Sequence, residues 1–185
     1  MPNWDEFQDP FELASALWEY LWSSRRAANL SPDDFRALFA RIYNDCQDIP
    51  TLWQLGGATN DYLRTYPGAI EVPVELIDSL RASDHMDARI IGLKLLKHSK
   101  LDDQRIVSEI VRALQQPEDY EYYGGFVEMR HFLDRHRVEG RAIATPLVDE
   151  LRRGLARFFT HEDEYSRTTA HALTEYLDEF QAAAS

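Results

Sequence analysis

Residues 106–114 read Ile106-Val107-Ser108-Glu109-Ile110-Val111-Arg112-Ala113-Leu114, with the large apolar side chains at 106, 107, 110, 111 and 114. Spacings of three and four put these five on one face of a helix and the polar residues between them on the other. The alternation that marks a half-buried strand is not sustained anywhere in the chain. Similar stretches lie on either side, Val74-Glu-Leu76-Ile77-Asp-Ser-Leu80 and Leu147-Val148-Asp-Glu-Leu151-Arg-Arg-Gly-Leu155. Working outward, the periodicity predicts helices near 74–82, 85–99, 103–116, 119–137, 142–159 and 162–182. Upstream, residues 11–28 carry Phe11, Leu13, Leu17, Leu21 and Trp22 at helical spacing, after Asp9-Pro10. A second helix opens with Ser31 as N-cap and Pro32 at its first position, and runs through Phe35, Leu38, Phe39, Ile42 and Tyr43. A third, over 50–66, is expected to be weakened by Gly56-Gly57 and to stop before Pro67-Gly68. Pro73 makes the chain extended around Ile70–Pro73. The fold class is therefore all-α.

The six helices from Val74 onward fall into three pairs. Each pair opens with one of the Leu/Val-rich helices, continues through an acidic turn, and closes with a helix carrying an early arginine. The turns are Asp84-His85-Met86-Asp87, Glu118-Asp119-Tyr120-Glu121 and His161-Glu162-Asp163-Glu164, and the arginines are Arg89, Arg130 and Arg167, spaced 41 and 37 positions apart. Two helices per period of about 40 residues is the signature of a helical solenoid, whose units cover one another's apolar faces. The stretch Asp87-Ala-Arg89-Ile-Ile-Gly92-Leu93-Lys-Leu95-Leu96 resembles the HEAT-like helical repeat families, and Ser166-Arg167-Thr-Thr-Ala170-His-Ala172-Leu173 resembles them more weakly. The resemblance covers about residues 74–182, with a departure at Tyr120–Gly125. It implies antiparallel helix pairs stacked as a short α-solenoid within one domain of 185 residues, with the aromatic segment 1–70 as an N-terminal helical cap. An antiparallel bundle would give helices of the same length, so both arrangements stay open.

The 185 residues include 20 Lys+Arg against 32 Asp+Glu, a formal net charge of −12, with 44% hydrophobic side chains. That content supports a buried core and argues against global disorder. The negative balance argues against nucleic-acid and anionic-membrane binding, which need a cationic face. The excess lies at the two ends: residues 1–48 carry −5 and 101–185 carry −7, while 49–100 are neutral. Cys46 is the single cysteine, so no intramolecular disulfide can form. The N-terminal stretch has neither the basic n-region nor the apolar h-region of a secretory signal, and no apolar run approaches the length of a membrane span. A cytoplasmic setting is the expectation.

Catalytic and metal-binding patterns are sparse. Glu128-Met-Arg-His131 has the Glu-x-x-His spacing of di-iron bundles, but such a site needs two copies and two further glutamates. Asp134 shares the face of His131, which makes Glu128, His131 and Asp134 the candidate site of a helical-bundle enzyme. Cys46 follows Asn44-Asp45 at a helix end, where no helix dipole lowers its pKa. Gly56-Gly57 and Gly124-Gly125 lack the Gly-Lys-Ser/Thr of a phosphate-cradling loop and suggest relaxed helices or close packing instead. No cofactor and no metal are expected.

The clearest candidate for recognition is Pro117-Glu118-Asp119-Tyr120-Glu121-Tyr122-Tyr123-Gly124-Gly125, three tyrosines interleaved with three carboxylates. Tyrosines are frequent interface anchors, and the carboxylates would steer a cationic partner. Glu162, Asp163 and Glu164 would join them if stacking brought the acidic turns to one edge. Trp4, Phe7, Phe11, Trp18 and Trp22 form a second aromatic face, at a spacing equally suited to a core. In size and charge the chain resembles bacterial immunity proteins and inhibitors, which cover the active site of a toxin. That resemblance implies a non-enzymatic protein-binding module with a basic protein partner, no nucleic acid and no membrane. A scaffold or adaptor in a cytosolic complex is the alternative, and an enzyme around Glu128, His131 and Asp134 is a third reading.

Overall fold

The computed structural model describes residues 2–24, 29–116 and 120–184. The chain is all-helical, with α1 (Pro10–Ser24), α2 (Pro32–Asp45), α3 (Ile49–Thr65), α4 (Val74–Arg81), α5 (Met86–Leu95), α6 (Asp103–Leu114), α7 (Glu121–Glu139), α8 (Thr145–Ala156) and α9 (Glu164–Ala184). Short 3-10 turns precede α1 and extend α5 and α8. Residues 25–28, expected at the end of the first helix, and Pro117, Glu118 and Asp119 lie outside the described residues. The chain divides into two compact units, Met1–Lys100 and Leu101–Ser185. The seam expected near residues 70–74 thus falls inside the first unit. No helix among the described residues is long and apolar enough to cross a membrane.

In the first unit α3 is the central helix, packed by α1, α2, α4 and α5. Asp48 caps it, accepting from the Thr51 amide at 3.0 Å and the Thr51 hydroxyl at 2.9 Å. The helix runs unbroken through Gly56-Gly57, and both glycines are sites of close approach. A Cβ on Gly57 would stand 2.4 Å from the Trp18 indole of α1, and one on Gly56 would stand 2.8 Å from Ile91 of α5. Further along, the fully buried Tyr62 stacks on Phe35 of α2 at 3.9 Å and donates to the Leu30 carbonyl at 2.9 Å. Arg81 is buried at the end of α4 and donates to the Arg89 carbonyl at 3.0 Å. Of the N-terminal aromatics, Trp4 meets Tyr20 edge-on at 5.5 Å, and Arg41 of α2 holds the Trp4 and Phe7 carbonyls. Phe11 and Trp22 are exposed.

The second unit is a two-layer stack of two helix pairs. Neighbours within each layer run parallel at an offset near 40 residues. Gly154 of α8 packs on Leu114 and Val111 of α6, and Gln104 bonds Glu150 across the same pair. In the other layer Tyr123 meets Asp163, Asp134 meets Tyr176, and Arg137 reaches Glu179. Both layers bury their apolar stripes in one core around Ile110, Leu114, Phe126, Met129, Leu151, Phe158 and Leu177. This is the burial that the spacing of 106, 107, 110, 111 and 114 predicts. Gly125 lets α7 close on α6, where an added Cβ would stand 3.0–3.1 Å from the Leu114 side chain.

Candidate functional site

The parallel register of α7 and α9 places the first turns of both helices side by side. Asp163 caps α9, accepting from the Ser166 amide at 2.8 Å and the Ser166 hydroxyl at 2.6 Å, as a short acidic side chain before a helix favours. The Tyr123 hydroxyl donates to the same Oδ2 at 3.1 Å. Ser166 is the leading reason why the Asp163 carboxyl is held below the ordinary aspartate range, and Tyr123 adds to it. The Tyr123 phenol is pushed up to about 12 by hydrogen bonding with the Tyr122 hydroxyl, then by burial and by Asp163.

Around this contact three tyrosines form a row. Tyr120 stacks on Tyr123 at 5.8 Å and 14°, and Tyr165 meets Tyr123 from the other side at 5.7 Å. Tyr120 is 66% exposed and Tyr165 59%, with Tyr123 half-buried between them. Glu162 and Glu164 are exposed beside the row. The backbone at Tyr120 has φ 28°, a left-handed value that a non-glycine residue adopts at a cost.

The sequence-predicted site is therefore brought together in part. Tyr120, Tyr123, Glu162, Asp163 and Glu164 share one surface, while Glu118 and Asp119 lie outside the described residues. Glu121 and Tyr122 depart from the expectation of a partner-facing role. Glu121 is 1% exposed and Tyr122 5%, with the Tyr122 ring among Phe126, Phe158 and His161 at 5.2–5.9 Å. Successive residues on a helix diverge by about 100°, and in α7 that rotation turns Tyr122 into the core while Tyr123 stays at the surface. Tyr165 was not singled out from the sequence. Its one local signal is its place directly after the acidic turn, and a contact 42 residues away gives it significance.

The turns themselves repeat in atomic detail. Arg89 is the fourth residue of α5 and its Nη1 donates to the Ser83 and Asp84 carbonyls at 3.1 and 3.0 Å. Arg167 is the fourth residue of α9 and its Nη1 donates to the corresponding carbonyls of His161 and Glu162. In both turns a backbone amide also bonds the side chain two residues earlier, His85 to Ser83 and Asp163 to His161. Arg130 does not belong to this series. The fourth residue of α7 is Gly124, and Arg130 instead pairs with Asp134 at 3.2 Å and lies over the Tyr176 ring at 4.7 Å.

The alternative site does not converge. Glu128 is buried and meets His131 Nδ1 at 3.2 Å, but the Asp134 carboxylate is turned to the Tyr176 hydroxyl at 2.7 Å and to Arg130. Among the described residues no group of three His, Cys, Asp or Glu side chains is placed to hold a metal ion.

Compared with known proteins, the chain matches no family model, no curated protein and no solved structure. The tyrosine row and its acidic rim carry the functional reading by themselves.

Proposed function

We propose that the protein is a non-enzymatic binding module of the immunity or inhibitor type, acting in the cytoplasm on a basic protein partner. The observation that carries this reading is the row Tyr120, Tyr123 and Tyr165 beside Glu162 and Glu164, in a half of the chain with net charge −7. Two exposed phenols, Tyr120 and Tyr165, each packed on the half-buried Tyr123, offer large contact area at low entropic cost. The carboxylates around them raise the encounter rate with a cationic surface. The pre-formed Tyr123–Asp163 bond keeps the row in place before contact. Parallel stacking at an offset near 40 supports the HEAT-like reading for the two helix pairs of the second unit.

The test is affinity capture from the native host with the wild type, a Tyr120→Ala/Tyr165→Ala variant and a Glu162→Lys/Glu164→Lys variant. A basic protein held at low salt, released at high salt and lost from both variants is the expected result. A partner that tolerates the charge reversal and shows no salt dependence favours the scaffold reading. Capture unchanged in both variants removes this surface from the interface.

A further inference from the structure

At the other end of α7 the charge reverses. Residues 130–141 carry Arg130, Arg135, Arg137 and Arg141, with His131 and His136, against only Asp134 and Glu139. Helix α7 closes at Gly140 in the left-handed conformation, φ 62°, and the Arg141 amide bonds back to the His136 carbonyl at 2.9 Å. This turn carries Arg141 alongside Arg137 at the mouth of a groove of about 370 Å³ between α7 and α9. Tyr176 and Phe180 supply its apolar wall, with ring centroids 5.5 Å apart, and Glu179 stands at its edge.

The wall and floor are held rigidly. Tyr176 donates to Asp134 at 2.7 Å, and the Arg130 guanidinium lies 4.7 Å from its ring centroid. The fully buried His136 is fixed by Asp103 at 2.9 Å and by the Phe132 carbonyl at 3.0 Å. The arginines at the mouth are engaged far more loosely. Among the described residues Arg137 reaches the Tyr176 hydroxyl at 3.5 Å and Glu179 at 4.0 Å, both long for hydrogen bonds, and it is 66% exposed. Arg141 commits Nε to Glu139 at 2.6 Å, while its Nη1 stays 3.9 Å from Asp103. Each guanidinium has five donors, so both keep unused N–H groups directed at solvent or the groove.

We propose that this groove is a binding site for a small organic anion. A carboxylate or phosphate engages Arg137 and Arg141, and an apolar, preferably aromatic, body lies on Phe180 and the accessible edge of Tyr176. Planar guanidiniums match both anions geometrically, and the volume falls in the range of small-molecule sites. Glu179 acts as an internal competitor, since its carboxylate is the acid already nearest Arg137. The site is independent of the tyrosine row, which lies at the opposite ends of α7 and α9.

The experiment is an NMR titration of the full chain with phenylacetate, phenyl phosphate and the neutral phenylacetamide, following the arginine Nε–H signals and the Tyr176 and Phe180 rings. Saturable shifts at Arg137 and Arg141 with either anion, about tenfold weaker with the amide, are expected. Stronger binding of phenyl phosphate identifies phosphate as the preferred head group, and stronger binding of phenylacetate identifies carboxylate. Arg137→Gln weakens binding about tenfold, and Glu179→Gln strengthens it severalfold by removing the competing charge. Both substitutions are at exposed positions, and thermal unfolding verifies the fold of each variant. Equal response to the amide, shifts that never saturate, or affinity unchanged in both variants overturns the proposal.

Discussion

The Tyr123 hydroxyl donates to Asp163 Oδ2 at 3.1 Å, joining the first turn of α7 to the cap of α9 across 40 residues of sequence. One carboxylate oxygen thus closes a helix and positions the central ring of the tyrosine row. Both functions depend on its charge.

Acid therefore acts on this contact. The Asp163 carboxyl is held below its ordinary range chiefly by Ser166, whereas in the unfolded chain it ionises near its usual value of about 3.9. Its stabilising contribution is present above that value and is lost as pH falls through the lower folded pKa. Asp163→Asn lowers the melting temperature at neutral pH, and the gap to the wild type closes in acid. A gap independent of pH contradicts the assignment.

Alkali acts on a different pair of groups. The Tyr62 phenol is pushed up to about 12, first by burial, and Tyr123 to about 12 by Tyr122, burial and Asp163. In the unfolded chain both ionise near 10, so stability falls as pH rises from about 10 toward 12. Tyr62 and Tyr123 ionise late in an ultraviolet absorbance titration, burial also raises Tyr43, and Tyr62→Phe removes one late step. Nine phenols titrating together near 10 would falsify this.

Gly57→Ala tests the crossing of α1 and α3. The new methyl would lie 2.4 Å from the Trp18 indole, which is itself held by Asp61 at 3.0 Å and by an edge contact with Trp53 at 6.0 Å. Overpacking of this kind costs about 1–3 kcal/mol, outweighing the gain in helix propensity of up to ~1 kcal/mol. Urea unfolding of the variant reads the loss, and a change in tryptophan fluorescence locates it. A stabilised variant would show that Trp18 moves aside freely.

Arg167→Ala exposes the difference between the turn-clasping arginines and Arg130. Losing two charge-assisted bonds to backbone carbonyls costs about 1 kcal/mol at a partly exposed site. Arg130→Ala breaks an ion pair between half-exposed side chains and a ring contact, at a cost of about 0.5 kcal/mol. Thermal unfolding of both variants compares them, and the reverse order would remove the structural role assigned to the clasp.

The helices were legible because their causes are local. Ser31, Asp48 and Asp102 each cap a helix through bonds to an amide three residues on, and the stripes of α2 and α6 follow from spacing alone. The aligned arginines were only partly legible. Arg89 and Arg167 are 78 positions apart, twice 39, and share one geometry because each is the fourth residue of its helix. Arg130 satisfied the spacing in sequence but sits too deep in α7 to fold back on the preceding turn. Of the two readings of the α3 glycines, close packing holds and a weakened helix does not, and the choice was not local because what they accommodate lies on α1, α4 and α5.

By itself, then, the sequence determined the all-α class, nearly all the helix positions and the sign of the charge. Periodicity and capping act within a few residues of one another, so these properties need no knowledge of the distant chain. The tertiary structure alone decided which tyrosines face outward. It turned Tyr122 and Glu121 into the core, brought Tyr165 to Tyr123, and set Tyr176 and Phe180 against Arg137 and Arg141. Such choices depend on the register between α7 and α9, which is fixed by how two apolar faces fit together.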